Sequence, residues 1–308
     1  MVSAWKPLQR RYPIMNDQKK KMFRYLLSVF LIAYIIQFAA AGLYRNGQSQ
    51  TGQLVIAAMM FVPLLSVILS GSSLKGMGWK PVLKGNMKLI LTAWFLPAVL
   101  TALGTTIYFL IFPGHFDLSG AILNEAAPNA LEALEAQGIT YPMYVLITSA
   151  GCLTYAPLIN MFPAVGEEAG WRGYLYPELK KLYGRKKGIL LGGVIWGAWH
   201  WPLIWLIGYE YGMDYPGFPV TGMVLFCIFT VCGGVLHDVL YEKSRCIWIP
   251  AVFHGALNAA ATIPLAICRT DTGPARLLGP APNGLVAGLP LMIAAVIIMR
   301  RIDINSYK

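Results

Sequence analysis

Residues 141–187 read YPMYVLITSAGCLTYAPLINMFPAVGEEAGWRGYLYPELKKLYGRKK. No charged side chain occurs from Tyr141 to Gly166. Glu167, Glu168 and Arg172 then arrive together, and Lys180, Lys181, Arg185, Lys186 and Lys187 follow. A run of about 20 apolar residues matches the hydrocarbon thickness of a bilayer. The stretch therefore reads as a membrane span that ends on a basic, cytoplasmic boundary. It leaves a question: why two adjacent carboxylates and an arginine stand at the edge of so apolar a segment.

The pattern recurs along the chain. Of its 308 residues 56% are apolar and 13% charged, against about 45–50% and about 25% in soluble domains. Eight spans can be drawn, at 23–43, 53–70, 89–112, 142–162, 188–207, 220–240, 247–267 and 284–299. The second and last are short and contain Pro63 and Pro290. The reading is an all-α, polytopic membrane helical bundle of about eight transmembrane helices, one integral domain over 1–308. The connections are too short to hold a soluble domain. The first apolar run, Phe23 to Tyr44, is too long for a signal-peptide core and reads as a retained span. The five cysteines form no CxxC pair and sit in or beside apolar runs, as small packing residues do.

The net charge of +11 invites comparison with nucleic-acid binders, but its distribution points elsewhere. Of the 25 basic residues, 22 fall in alternate connections: Lys6 to Arg24, Lys75 to Lys88, Arg172 to Lys187, Lys243 with Arg245, and the tail with Arg300, Arg301 and Lys308. The intervening connections hold three, Arg45, Arg269 and Arg276. Basic residues mark the cytoplasmic side, so eight spans with both termini inside fit every connection. The basic residues face anionic lipid headgroups and not nucleic acid. The partner is the lipid bilayer, and the expected location is a multi-pass position in a bacterial cell membrane. Oligomeric state is not legible.

Ionisable residues inside spans are costly, about 2.5–3.5 kcal/mol each on insertion scales, and mark function by default. Glu167 and Glu168 end the fourth span, and Arg172 lies one helical turn past Glu168, a spacing that permits an ion pair. Acids starting an interfacial helix, followed by headgroup-facing cations, would give the same pattern. His200 lies inside the fifth span, about 18 Å along a helix starting near Gly188. His254 and Asn258, four residues apart on one face of the seventh span, lie roughly 10 and 17 Å along it. A straight fourth helix would leave the glutamates shallower than these histidines. A bend near Pro163, or a water cavity facing the cytoplasm, reconciles the depths. Helix packing alone would also account for each polar group taken singly. His237 and Asp238, near the inner end of the sixth span, are a fourth candidate, with solvation at the inner interface as the alternative, and His115 falls in an external loop.

Together, three spans place two carboxylates, two histidines and an amide in the inner half of one bundle. Peptide hydrolysis needs an activated water and donors for the oxyanion, and these groups supply both. They also offer two imidazoles and a carboxylate to a zinc ion, with a position left for water. No HExxH helix is present. The residues leave the two schemes open.

In this order the motifs resemble the CPBP intramembrane proteases, the family of the type II CAAX prenyl endopeptidases and their Abi relatives. Its signature EExxxR, FxxxH, HxxxN corresponds to Glu167-Glu168-Ala-Gly-Trp-Arg172, Trp196-Gly-Ala-Trp-His200 and His254-Gly-Ala-Leu-Asn258. The likeness covers about 140–265, the expected catalytic core. One position departs: Trp196 stands where the family usually has Phe. The resemblance implies that Glu167 activates water with help from His200, that Glu168 and Arg172 orient the site, and that His254 and Asn258 stabilise the oxyanion. A metalloprotease scheme within the same family would make Glu167, Glu168, His200 and His254 the zinc ligands. The expected activity is an intramembrane endopeptidase opening to the cytoplasm and acting on membrane-associated peptides or protein tails. The alternatives are a non-catalytic scaffold or bacteriocin-immunity-type regulator of the same family, or a transporter, though the two-fold repeat common in transporters is missing.

Overall fold

A computed structural model describes the backbone of residues 11–302 and the side chains from Asp17 onward. Lys6, Arg10 and Lys308, counted above on the basic side, lie outside the described residues, as does the side chain of Arg11. Among the described residues the fold is all helical, with one isolated bridge between Phe116 and Cys268 in place of any strand. In chain order the helices are α1 (Arg11–Arg45), α2 (Ser49–Met59), α3 (Val62–Leu69), α4 (Met87–Ile111), α5 (Ala121–Ala126), α6 (Ala130–Glu135) and α7 (Tyr141–Leu153). They continue with α8 (Ala156–Gly170), α9 (Tyr176–Tyr183), α10 (Arg185–Ala198), α11 (Trp201–Ile207), α12 (Val220–Ser244), α13 (Trp248–Ala266) and α14 (Leu289–Arg301).

Five segments are long and apolar enough to cross a membrane: Asp17–Arg45, Met87–Ile111, Arg185–Ile207, Val220–Ser244 and Trp248–Ala266. Two bent pairs raise this to seven. The first is α2 with α3, bent by 41°, and the second is α7 with Ala156–Tyr183, bent by 56°. The expected eighth span, 284–299, is instead the 13-residue α14, about 20 Å long and short of a bilayer core of about 30 Å. The reason lies just upstream. Gly279, Pro280, Pro282, Gly284 and Gly288 keep 279–288 irregular, and this segment is packed inside the bundle. Gly104 of α4 meets it so closely that a Cβ there would lie 1.8 Å from the Ala287 carbonyl oxygen.

The bend expected near Pro163 lies elsewhere. The fourth span breaks at Thr154–Tyr155, ahead of Pro157 in the first turn of α8, whereas Pro163 lies inside a continuous helix. A proline near a helix start has no N–H to give to the preceding turn, so the old helix stops there.

Side-chain pattern sorts the helices between lipid and interior. On α1, Phe23, Leu27, Leu31 and Ile35 form an exposed apolar stripe at four-residue spacing, while Tyr25, Val29, Ala33 and Gln37 are fully buried. Small residues then allow close approach, as in other membrane bundles. A Cβ on Gly255 of α13 would meet the Met161 nitrogen and the Pro157 carbonyl of α8 at 2.6 Å. Gly193 and Gly197 of α10 do the same for α12, and Gly170 brings the helix after Pro157 against Pro63 of α3. These contacts hold the motif-bearing helices α8, α10 and α13, together with α12, at short range.

The bundle has two distinct ends. At one, the Ile247 N–H donates to the Gly78 carbonyl and Trp248 Nε1 donates to that of Trp79, joining 71–86 to the α12–α13 turn. Lys180 and Arg185 bind Glu242 at the same end. At the other end, Asp117 and Arg269 exchange backbone bonds with Ile267 and His115. There Tyr211 donates to the Asn283 carbonyl, and the Asn283 amide donates to Glu210.

Candidate active site

The helix carrying the acidic motif does not stop at the membrane boundary. After α8 comes one π-turn, Trp171–Leu175, and then α9 to Tyr183. Glu167 therefore has about 24 Å of helix beyond it, and both carboxylates lie within the bundle, not at its edge. Single π-turns inside helices are frequent at functional sites. Successive residues of a helix point about 100° apart, so Glu167 and Glu168 serve different surroundings.

Glu168 faces a closed polar cluster and is fully buried with Arg172. Arg172 Nη1 and His254 Nδ1 both donate to Glu168 Oε1, each at 2.9 Å. His237 Nε2 lies 3.7 Å from the same oxygen. The guanidinium of Arg172 is held between two rings, 4.2 Å from the Trp196 centroid and 4.8 Å from that of Tyr176. Such stacking is strong when the cation is out of water. His237 Nδ1 bonds the Gly233 carbonyl at 2.7 Å. A carbonyl only accepts, so Nδ1 carries the proton and Nε2 of the neutral ring is a lone pair. That Nε2 and Glu168 Oε2 are buried without a partner.

Glu167 faces a cavity of about 370 Å³. Its Oε2 accepts from the indole N–H groups of Trp171, at 3.0 Å, and Trp196, at 2.8 Å. His200, His254 and Asn258 line the same cavity. His200 sits at the break between α10 and α11, its Nδ1 bonded to the Trp196 carbonyl at 3.0 Å, which leaves Nε2 to accept. Its ring packs against Trp199, Tyr209 and Phe226. Gln37 fixes the break from α1, donating to the Trp199 carbonyl and accepting from the Leu203 N–H.

The six residues singled out from the sequence thus lie in one region, with two differences from expectation. The zinc set expected at Glu167, Glu168, His200 and His254 does not assemble. The carboxylate and imidazole atoms that lie within 4.8 Å of one another are those of Glu168, His237 and His254, because Glu167 and His200 look into the cavity. His237 and Asp238, the fourth candidate, are fully buried, which removes the solvated alternative. Helix α12 runs on to Ser244, so both lie about 10 Å inside its end. Extending the sixth span by one turn would have exposed that signal. Asp238 accepts from Lys180 at 2.7 and 3.0 Å, and Glu242 joins Lys180 and Arg185 to the same network. The far end of the cavity is lined by Tyr44, Gln53, Glu210 and Asn283.

The departure at Trp196 has a physical account. A phenylalanine would keep the edge contacts to His237 and His254, whose ring centroids both lie 5.5 Å away. It would lose the N–H to Glu167. Trp196→Phe is expected to lower the kcat of any hydrolysis driven by Glu167 about tenfold while leaving KM within about twofold. The loss corresponds to one charge-assisted hydrogen bond of about 1.5–3 kcal/mol, partly replaced by water. Steady-state kinetics of the two proteins checks it.

Comparison with known proteins agrees with the motif reading. Residues 149–260 match the family model of Rce1-like type II CAAX prenyl endopeptidases. A relative named CAAX prenyl protease 2, from Methanococcus maripaludis, is 24% identical over 241 residues, covering 76% of this chain and 81% of the relative. The chain is thus similar to the CAAX endopeptidases, a likeness that supports a protease-like function in an integral membrane protein. The relative is archaeal, so the bacterial membrane expected from the sequence gains no support.

Proposed function

We propose that this chain is a glutamate-dependent intramembrane endopeptidase that hydrolyses a peptide bond of a membrane-associated peptide or protein tail. The observation that carries the proposal is Glu167. Its carboxylate has one oxygen held by two indole N–H groups and stands in a cavity that His200, His254 and Asn258 also border. That is a base fixed in orientation, beside a place for a substrate, with its other oxygen turned to take a proton.

In this reading Glu167 removes a proton from a water molecule as the water oxygen bonds to the scissile carbonyl carbon. His200 Nε2, a lone pair, accepts a hydrogen bond from the same water and orients it. The carbonyl oxygen becomes an oxyanion, and the Asn258 amide and the His254 ring donate to it. His254 already gives its Nδ1–H to Glu168, so donation from Nε2 requires the doubly protonated ring, a charge that Glu168 balances. As the C–N bond breaks, the proton held by Glu167 passes to the departing nitrogen, leaving a carboxylic acid and an amine, and the acid's proton then moves to the amine to give the carboxylate and the ammonium. Arg172 and Glu168 touch no substrate here. They position His254 and, through stacking, Trp196.

Zinc remains compatible in donor type. Glu168, His237 and His254 would hold it, and the unpartnered His237 Nε2 facing Glu168 Oε1 is the kind of gap a cation fills. A bound zinc ion would act as a Lewis acid and lower the pKa of a bound water. Two facts favour hydrolysis without it. The Arg172 guanidinium already engages the proposed ligand oxygen at 2.9 Å, and Glu168 and His237 do not border the cavity. The relative's name points to prenylated CAAX substrates, and a prenylated peptide is a first substrate to try. The test is peptide cleavage by the detergent-purified chain with and without 1,10-phenanthroline. A rate unchanged within about twofold is expected. Activity lost with one zinc per chain and restored by zinc would overturn the metal-free scheme.

A further inference from the structure

We infer that Glu210 is a specificity-determining residue of this site: its carboxylate receives a basic group of the substrate, so that the substrate class is a peptide carrying a lysine or arginine side chain close to the scissile bond. The inference rests on the peptidase reading for the bond that is cut, and Glu210 has no part in the hydrolysis proposed above. Three features of the molecule meet at this residue.

The first is its place. Glu210 borders the cavity that Glu167, His200, His254 and Asn258 also line. Its neighbour Tyr209 lines the same cavity and lies parallel to the His200 ring, with centroids 6.2 Å apart and planes 8° apart. An extended peptide advances about 3.3–3.6 Å per residue, so Glu210 is within reach of a side chain only a few residues from a bond cut beside His200. The second is its backbone. Glu210 has a φ of +69°, in the left-handed region that residues with a Cβ rarely adopt. The Tyr211 N–H donates to the Tyr209 carbonyl at 2.9 Å, which closes a γ-turn around Glu210. A γ-turn with positive φ is rare and strained. Glycine would suit this backbone better, yet a carboxylate stands there, and strain kept in this way clusters at ligand-binding positions.

The third is its charge. Asn283 Nδ2 donates to Glu210 Oε2 at 3.1 Å, and Tyr211 fixes Asn283 in turn by donating to its carbonyl at 2.9 Å. These bonds aim the carboxylate without neutralising it. Among the described residues no Lys or Arg lines the cavity. Arg276 is close enough for its charge to act on Glu210 but makes no ion pair with it. Burial pushes the Glu210 carboxyl above the ordinary carboxylate range, against the opposing pull of Tyr209 and Arg276, and a cation brought alongside reverses that push. A carboxylate only accepts hydrogen bonds, and an ammonium or guanidinium meets both its lone pairs and its charge. The cavity wall also includes Met59, Met60, Phe226, Phe229 and Leu257, apolar surface suited to the stem of a long basic side chain. An acidic side chain in the same space would meet two carboxylates, Glu167 and Glu210, and no fixed cation.

The experiment walks a single lysine through an N-acetylated, otherwise neutral fluorogenic peptide and measures cleavage by the detergent-purified full chain, with glutamine at the same position as the reference. At one position or more, kcat/KM for the lysine peptide is expected to exceed that for the glutamine peptide at least about tenfold, the lower end for a hydrogen bond to a charged group. Glu210→Gln, which keeps an oxygen for Asn283, should bring this ratio to within about twofold of unity. Glu210→Gly, which suits the left-handed backbone, should do the same. A ratio taken on one preparation does not depend on how much of it is folded. No preference at any position in the native chain, or a preference kept in both variants, would overturn the inference and leave the peptidase reading intact. Peptides without the acetyl group identify the source of the cation: a gain from the free α-amino group alone, with no effect of lysine, would overturn the side-chain assignment. Binding of the same peptides reads the contact without turnover. The lysine peptide should bind the native chain at least about fivefold more tightly than the glutamine peptide, and both should bind Glu210→Gln alike. Failure to cleave any peptide would strike the peptidase reading instead, and equal affinities of the native chain for the two peptides would still overturn the role of Glu210.

Discussion

Glu167→Gln is expected to lower kcat/KM for peptide hydrolysis by about 10³-fold, the middle of the range for loss of a positioned general base, while the protein keeps its fold. The substitution is nearly isosteric. Its carboxamide oxygen still accepts from Trp171 and Trp196, which donate to Oε2 in the native chain. What disappears is the capacity to take a proton at neutral pH. The thermal midpoint in detergent should stay within a few degrees of the parent, since no buried cation loses its partner. Glu168→Gln provides the contrast. It removes the charge facing Arg172 and His254, so its effect falls first on stability. Two adjacent glutamates should therefore separate cleanly, one in kinetics and one in melting. A Glu167→Gln protein that cleaves at the parental rate would remove the base from the mechanism.

That separation is only partly legible in the sequence. The order EExxxR, WxxxH, HxxxN identifies Glu167, Glu168, Arg172, His200, His254 and Asn258, because charges and imidazoles inside apolar runs are too costly to be kept without a use. Spacing also foretells the Glu168–Arg172 pair. It does not tell which carboxylate faces the cavity, since that depends on helix rotation set by close contacts at Gly166, Gly170 and Gly255. The burial of His237 is not legible because the hydropathy of α12 fades near Tyr241, before the helix ends at Ser244. The bend at Thr154 is misplaced because two prolines, Pro157 and Pro163, compete for it. Only the one in the first turn of a helix interrupts the previous helix. The eighth span fails for a related reason: an apolar run dense in Gly and Pro buries itself as irregular chain as readily as it crosses lipid.

Arg172→Met is expected to cost about 3–5 kcal/mol of stability, the usual penalty for stripping one member from a buried ion pair. In the native chain Arg172 and Glu168 are both inaccessible to solvent, and among the described residues no other cation with a fixed charge donates to Glu168. Without the guanidinium, Glu168 retains the His254 donor at 2.9 Å and the more distant His237. A drop in thermal midpoint of about 10 °C in detergent follows from the usual conversion for chains of this size. Pairing the change with Glu168→Gln discriminates between causes. If the penalty comes from the orphaned carboxylate, the double variant should regain most of the loss, because a neutral amide beside methionine leaves no unpaired charge. If it comes from the guanidinium packed between Trp196 and Tyr176, the double variant should melt no higher than Arg172→Met alone. The first outcome is expected, since stacking accounts for about 2 kcal/mol even when desolvated, less than the orphaned charge. Activity should follow a different order. Both variants loosen Trp196, which holds Glu167, so restored stability in the double variant should not bring back the parental kcat. That divergence between melting and turnover is what a pair acting through its neighbours, and not on substrate, must produce.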